Sequence, residues 1–229
     1  MKKALSFPCI LAAILFLLSV GCGAFYDGEV FSSCYTNESK KIALTFDDGP
    51  HPRYTPEILS ILDEYGVKAT FFVVGQNVDY YPDLVKAEVD GGHEVGNHTF
   101  SHANLRREQY EAVCAEITRT ERLIFENTDF RSRLLRPPEG VYSQAVCDAA
   151  ADHDYTIVLW SIDTKDWEHT PSEKIAEQVI SEVRGGDIIL FHDFIGHDSP
   201  TPEALRVILP KLIEDGYKFV TVSELLSSK

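Results

Sequence analysis

Two adjacent carboxylates, Asp47 and Asp48, close the run KIALTFDD, and Gly49-Pro50 follows at once. Like charges at the mouth of a strand disfavour each other's ionised form, so either a cation neutralises them or a reaction uses them. Further on, HTFSH sets His98 and His102 four apart, a spacing that on a helical turn points both imidazoles one way, as two ligands of one metal. In a chain with eight histidines such a pair carries little weight alone, and Asp48 supplies the rest. One carboxylate with two imidazoles holds a divalent ion and leaves positions for water and substrate, which is the pattern of a catalytic metal rather than a structural one. The same donors would also serve an Fe(II) oxygenase.

The elements that must position these residues alternate. Strand-like runs fall at 41–46, 69–74, 93–97, 134–136, 156–161, 187–192 and 218–220. Helical patterns lie between them at 55–65, 80–90, 107–127, 143–154, 172–183 and 201–215, several stopped by a glycine (Gly66, Gly91, Gly185, Gly216) suited to a left-handed cap. Seven strands alternating with helices predict a parallel α/β sheet, open or closed into a barrel. Asp47, Asp48, His98, Arg136, Asp163, Asp166 and His192 all sit at or just past a strand's C-terminal end. In parallel α/β folds those ends share one face, where active sites are built.

TFDDGP, HTFSH, RPPEG, DTKDW and LFH, in that order from about Lys40 to the C-terminus, resemble the five motifs of the polysaccharide deacetylase (NodB homology) family of carbohydrate esterases. The resemblance implies a distorted (β/α) barrel of about seven strands and, by position, a set of roles. Asp47 is the general base, and Asp48, His98 and His102 bind a divalent metal, most often zinc, with cobalt or another ion possible. Arg136 holds Asp47, Asp166 orients His192, and His192 is the general acid. Trp167, Leu190 and Pro137 contact the substrate, and the backbone N–H of residue 139 stabilises the oxyanion. The chemistry is coherent: a metal brings a water's pKa down to about 7, a carboxylate takes its proton, and the poor amine leaving group needs a separate acid. The additional Asp47, Arg136 and His192 on an α/β background argue against an oxygenase. The resemblance departs at Glu139, which stands where the family usually has an aromatic ring. The expected consequence is an altered substrate preference, with acidic glycans disfavoured by charge repulsion.

The N-terminal MKKALSFPCILAAILFLLSVGCGAF has two lysines, a short apolar run and then small residues, the order of an export signal. Cleavage after Ala24, retention as an anchor, or lipidation at Cys22 each place the remainder outside the cytoplasm, with residues 25–39 joining this segment to a catalytic domain at 40–229. Without residues 1–24 the chain carries 19 basic and 36 acidic side chains, net −17, which disfavours nucleic acid or an anionic membrane surface as partner. A monomer is expected. Cys34, Cys114 and Cys147 form no disulfide framework, and Cys114 and Cys147 read as small buried residues. His51, His93, His153, His169 and His197 match no motif position. The expected reaction is removal of N-acetyl groups from N-acetylglucosamine glycans, peptidoglycan or chitin-like. The competing readings are an O-acetyl esterase of xylan or another wall glycan, and a glycan-binding protein without turnover.

Overall fold

The computed structural model describes residues 30–35, 40–194, 196 and 198–227. The expected export segment, Cys22 and His197 lie outside them. The strands are β1 (Val30–Phe31), β2 (Lys41–Asp47), β3 (Thr70–Val73), β4 (Glu94–Asn97), β5 (Leu134–Leu135), β6 (Thr156–Val158), β7 (Ile162–Asp163), β8 (Ile188–His192) and β9 (Lys218–Phe219). The helices are α1 (Tyr54–Glu64), α2 (Gly75–Tyr80), α3 (Pro82–Asp90), α4 (Tyr110–Thr128), α5 (Gln144–Asp152), α6 (Ser172–Glu182), α7 (Thr201–Glu214) and α8 (Val222–Leu226).

All strand pairs are parallel, in the order β1-β6-β5-β4-β3-β2-β8-β7, with β9 joining the start of β2. The sheet is buried on both sides, which is why β2 reads as a continuous apolar run, buried at every position after Lys41. The helices wrap the outside; α1, for example, turns Tyr54, Thr55, Ile58, Ile61 and Leu62 inward at helical spacing.

The predicted strand 156–161 is divided. β6 pairs with β5 and β1, and β7 pairs with β8, so the chain from Thr156 to Asp163 bridges two parts of the curled sheet with a break at 159–161. Arg136 fills that seam. It is fully buried, and its Nε and Nη2 donate to the carbonyls of Val158 (3.1 Å) and Leu159 (2.8 Å), which the broken ladder leaves free.

Period-two alternation sends Ala43, Thr45 and Asp47 of β2 and Ile188, Leu190 and His192 of β8 to the same side, and the register pairs them one to one. The lowest layer is apolar, where Ala43 and Ile188 pack with Phe72, Leu134 and Val158 against Val222 and Leu225 of α8. The top layer is Asp47 beside His192.

Several expectations need correction. β1 lies inside the stretch read as a joining segment; Cys34 is buried there, and Tyr35 donates to Asp187 at 2.7 Å. The predicted helix 80–90 begins at Pro82, with a separate helix α2 before it, because proline fits the first turn of a helix but not its interior. Left-handed glycines follow α1 at Gly66 and α7 at Gly216 as expected, but after α3 the left-handed residue is Gly92 rather than Gly91, and Gly186 rather than Gly185 has positive φ. Helix α8 was not anticipated, although T-V-S-E marks its start and Thr221 accepts from the Glu224 amide. Among the described residues the cysteines are free, with Cys34 and Cys147 buried and Cys114 partly so. No described helix is long and apolar enough to cross a membrane.

Candidate active site

A pocket of about 440 Å³ opens at the C-terminal ends of the strands, lined by Asp47, Asp48, His98, His102, Glu139, Trp160, Asp163, Trp167, Leu190 and His192. Nine of these ten, all but Trp160, are named as strand-end or site residues from sequence; they converge from several strand ends and the loops that follow them.

The turn after β2 is tied from three sides. The Asp193 amide donates to the Asp47 carbonyl (3.2 Å), Asn77 Nδ2 to that of Asp48 (2.7 Å), and the Val74 amide to that of Gly49 (2.9 Å). These bonds hold Asp48 at φ 74°, a left-handed conformation that a residue with a Cβ rarely adopts. Consecutive residues then diverge: Asp47 points inward and is buried, while Asp48 turns toward the histidines.

His98 and His102 do not share a helical turn. They stand on an irregular loop after β4, where Thr99 and His102 both have positive φ (68° and 54°), and that loop brings their ring centroids to 5.1 Å. The four-residue spacing therefore found the pair for the wrong geometric reason. His98 Nδ1 lies 2.6 Å from the Arg136 carbonyl; a carbonyl only accepts, so the proton sits on Nδ1 and leaves Nε2 with a lone pair.

Asp48 Oδ1 lies 3.3 Å from His98 Nε2 and 3.1 Å from His102 Nε2, and it is buried without a hydrogen-bond partner. Two ligands of a tetrahedral ion at about 2.0–2.2 Å are themselves separated by roughly 3.3 Å. The spacing, the bare His98 nitrogen and the orphaned oxygen all fit a divalent cation held by Asp48, His98 and His102. Burial alone would raise the Asp48 carboxyl, but His102 and His98 outweigh it and hold it far below the usual carboxylate range. In return Asp48 raises the His102 imidazole.

Asp47 is paired with Arg136 Nη1 at 2.7 Å, and the same nitrogen donates to Thr45 Oγ1 at 2.8 Å. The guanidinium lies 4.1 Å from the centre of the Phe72 ring. Burial pulls the Arg136 pKa down from its ordinary value while Asp47 works against that; the site thus holds a desolvated charge pair whose arginine also braces the barrel seam through the Val158 and Leu159 carbonyls.

On the neighbouring strand, His192 Nδ1 lies 2.7 Å from Asp166 Oδ1, and Asp166 Oδ2 accepts from the His192 amide (2.7 Å) and from Thr201 Oγ1 (2.6 Å). Fixed in this way, Nδ1 carries a proton toward Asp166 and Nε2 is the atom left to exchange one. Burial opposes the imidazolium, but the Asp166 hydrogen bond and charge, with Asp47 and Asp48 behind them, push His192 up to about 9.

Leu190 and the half-exposed Trp167 line the pocket, whereas Pro137 is buried and does not. Glu139 lines it from a left-handed residue (φ 56°, ψ 14°), with Asn104 Nδ2 donating to Oε2 at 3.0 Å. Trp160 was missed; it sits in the break between β6 and β7, and only the rule that strand ends line the site could have flagged it. Asp163, at the end of β7, accepts from the Lys165 amide (2.9 Å) and from Trp167 Nε1 (3.4 Å), and so orients that indole. Among the histidines outside the motifs, buried His93 accepts from the Ala69 amide and packs edge-on to Phe71, a structural role.

A curled parallel barrel that carries a carboxylate–imidazole metal cluster and a charge-paired aspartate at its C-terminal mouth defines a class of hydrolytic α/β enzyme. Comparison with known proteins makes this specific. The family model for polysaccharide deacetylase matches residues 35–158. A peptidoglycan-N-acetylglucosamine deacetylase of Bacillus cereus is 43% identical over 195 residues, covering 84% of this chain and 91% of the relative. The crystal structure of a peptidoglycan N-acetylglucosamine deacetylase bound to an N-hydroxybenzamide superposes with a TM-score of 0.82 at 33% identity, covering 86% of this chain and 92% of that one. A pseudoenzyme of the same carbohydrate esterase family from Bacillus anthracis superposes with a TM-score of 0.81 at 32% identity, covering 87% and 69%. The chain belongs to the polysaccharide deacetylase family.

Proposed function

We propose that this chain is a zinc-dependent de-N-acetylase of N-acetylglucosamine-containing glycans, acting outside the cytoplasm after export through its N-terminal segment. An enzyme and a pseudoenzyme share the fold at nearly equal TM-scores, so the fold alone does not decide turnover. The observation that carries the reading is the register pair Asp47 and His192, one braced by Arg136 and the other by Asp166, beside the Asp48–His98–His102 cluster. Zinc suits a site of two imidazoles and one carboxylate with a remaining open position. When bound, the ion lowers the pKa of a water and polarises the acetyl oxygen.

Asp47 accepts the proton of the attacking water, and Arg136 holds its carboxylate toward the pocket. The backbone N–H of Glu139 donates to the oxygen that gains charge. His192 gives its Nε2 proton to the departing nitrogen, and Asp166 stabilises the imidazolium before that transfer. Leu190 and Trp167 shape the space for the acetyl methyl. The test is acetate release from N-acetylglucosamine oligomers, peptidoglycan and acetylated xylan, before chelation, after it, and after zinc is restored. Zinc-restored acetate from the first or second supports the reading. Acetate from xylan alone makes the chain an esterase, and no acetate from any of them makes it a binding protein.

A further inference from the structure

We propose that Glu139 makes this active site select glycans whose unit next to the scissile acetamide carries a free ammonium, and reject those that carry a carboxylate there. This rests on the deacetylase reading. Among the described residues four carboxylates line the pocket, Asp47, Asp48, Glu139 and Asp163, and no lysine or arginine does. Asp47 is answered by Arg136 at 2.7 Å and Asp48 by two imidazoles and the cation they fit. Asp163 spends Oδ1 on the Lys165 amide and the Trp167 indole. Glu139 differs from Asp47 and Asp48 in having no cationic partner, and from Asp163 in being exposed at the pocket mouth; its hydrogen bond comes from the neutral amide of Asn104, which fixes the direction of the carboxylate without cancelling its charge. Successive left-handed residues, Glu139 and Gly140 (φ 56° and 65°), set where that side chain leaves the backbone. A Cβ at Gly140 would press on Trp160, so this turn lies against the Trp160 ring, and Glu139 and Trp160 line the same pocket. Aromatic walls favour a sugar face and tolerate a cation.

Hydrolysis itself makes the favoured group. The acetyl C–N bond breaks and a C–O bond to water forms; acetate leaves with one negative charge, and the glucosamine nitrogen, protonated, keeps one positive charge. A chain that has reacted once is then a better substrate one unit along, so deacetylation proceeds in runs. A unit charge some 6 Å away, in surroundings between water and protein surface, changes binding by about threefold to tenfold.

The experiment compares kcat/KM of the full, zinc-loaded chain on three tetramers: fully acetylated, with one unit already deacetylated, and with its reducing end oxidised to the acid. Expected is deacetylated above neutral above acidic, a ratio that shrinks in high salt, collapses toward one in Glu139→Gln and inverts in Glu139→Lys. Equal efficiency on all three, or a ratio that Glu139→Gln leaves unchanged, overturns the inference while the deacetylase stands. No acetate from any tetramer overturns the inference, and acetate from peptidoglycan with the same preparation then keeps the deacetylase reading while its absence overturns that as well.

Discussion

Under the proposed function Asp47 is the base, and it is buried against Arg136; the pair sits at 2.7 Å with both side chains almost fully enclosed. Asp47→Asn keeps the shape and removes the base. We expect acetate release to fall by about 10²–10⁴-fold while zinc content, measured on the purified protein, stays near one per chain. Asp48→Ala or His98→Ala should instead lose the zinc, and the same metal analysis distinguishes the two outcomes. His192 tells amide from ester: an amine leaves poorly without a proton, so His192→Gln should depress N-acetyl cleavage far more than O-acetyl cleavage. The elevated His192 pKa also predicts a pH effect on stability. With the folded value pushed up to about 9 from an ordinary value near 6.5, the stabilisation is fully present below about 6.5 and is lost as pH rises through about 9. A shift of that size is worth on the order of 3 kcal/mol. Urea midpoints of the metal-free protein at pH 6 and pH 10 should show this loss, and His192→Gln should abolish most of it.

At the scale of elements, alternation along β2 and β8 does the positioning. The residues proposed as base and acid, Asp47 and His192, are third in two inward-facing columns, over Thr45 and Leu190, over Ala43 and Ile188. A one-residue slip of either strand would turn its functional side chain outward. The seam between β6 and β7 is the weak place in this arrangement, and Arg136 closes it by bonding two carbonyls, Thr45 and Asp47 together. Arg136→Met should therefore cost about 3–5 kcal/mol of stability, since it strands a buried carboxylate and two carbonyls. Adding Asp47→Asn should recover part of that stability and none of the activity, a non-additivity readable from paired unfolding curves. The Asp193 carboxylate underlies the turn after β2: it bonds Thr55 and leaves no room for a Cβ at Gly49. Gly49→Ala should cost about 1–3 kcal/mol by overpacking and weaken zinc affinity, because the displaced backbone is the one that aims Asp48.

For the whole molecule, the informative correction is at the N-terminus. Residues 30–35 are part of the folded unit: β1 pairs with β6, the Cys34 amide donates to the Gly186 carbonyl at 2.7 Å, and Cys34 is 5% exposed among the residues under the barrel. A chain beginning at residue 40, the boundary that sequence suggested, should be less stable than one beginning at residue 30 by about 1–3 kcal/mol, measured as a shift in urea midpoint at unchanged slope.

The sequence by itself determined the alternating elements, the parallel sheet and the family, because apolar periodicity and the DDGP, HTFSH and LFH motifs are local signals. Its strand ends already put Asp47, Asp48, His98, His102, Arg136, Asp166 and His192 on one face. Tertiary structure decided what depends on approach between distant segments. The histidine pair converges through left-handed loop residues rather than a helix, and the strand at 156–161 breaks where Arg136 offers its carbonyls other partners. Trp160 enters the pocket through that break, and Pro137 stays beneath the surface. Two-residue strands such as β1 and β7 are too short to show a period. They exist because neighbours already in place present open backbone groups to pair with, a property of the assembled sheet that no local stretch of residues encodes.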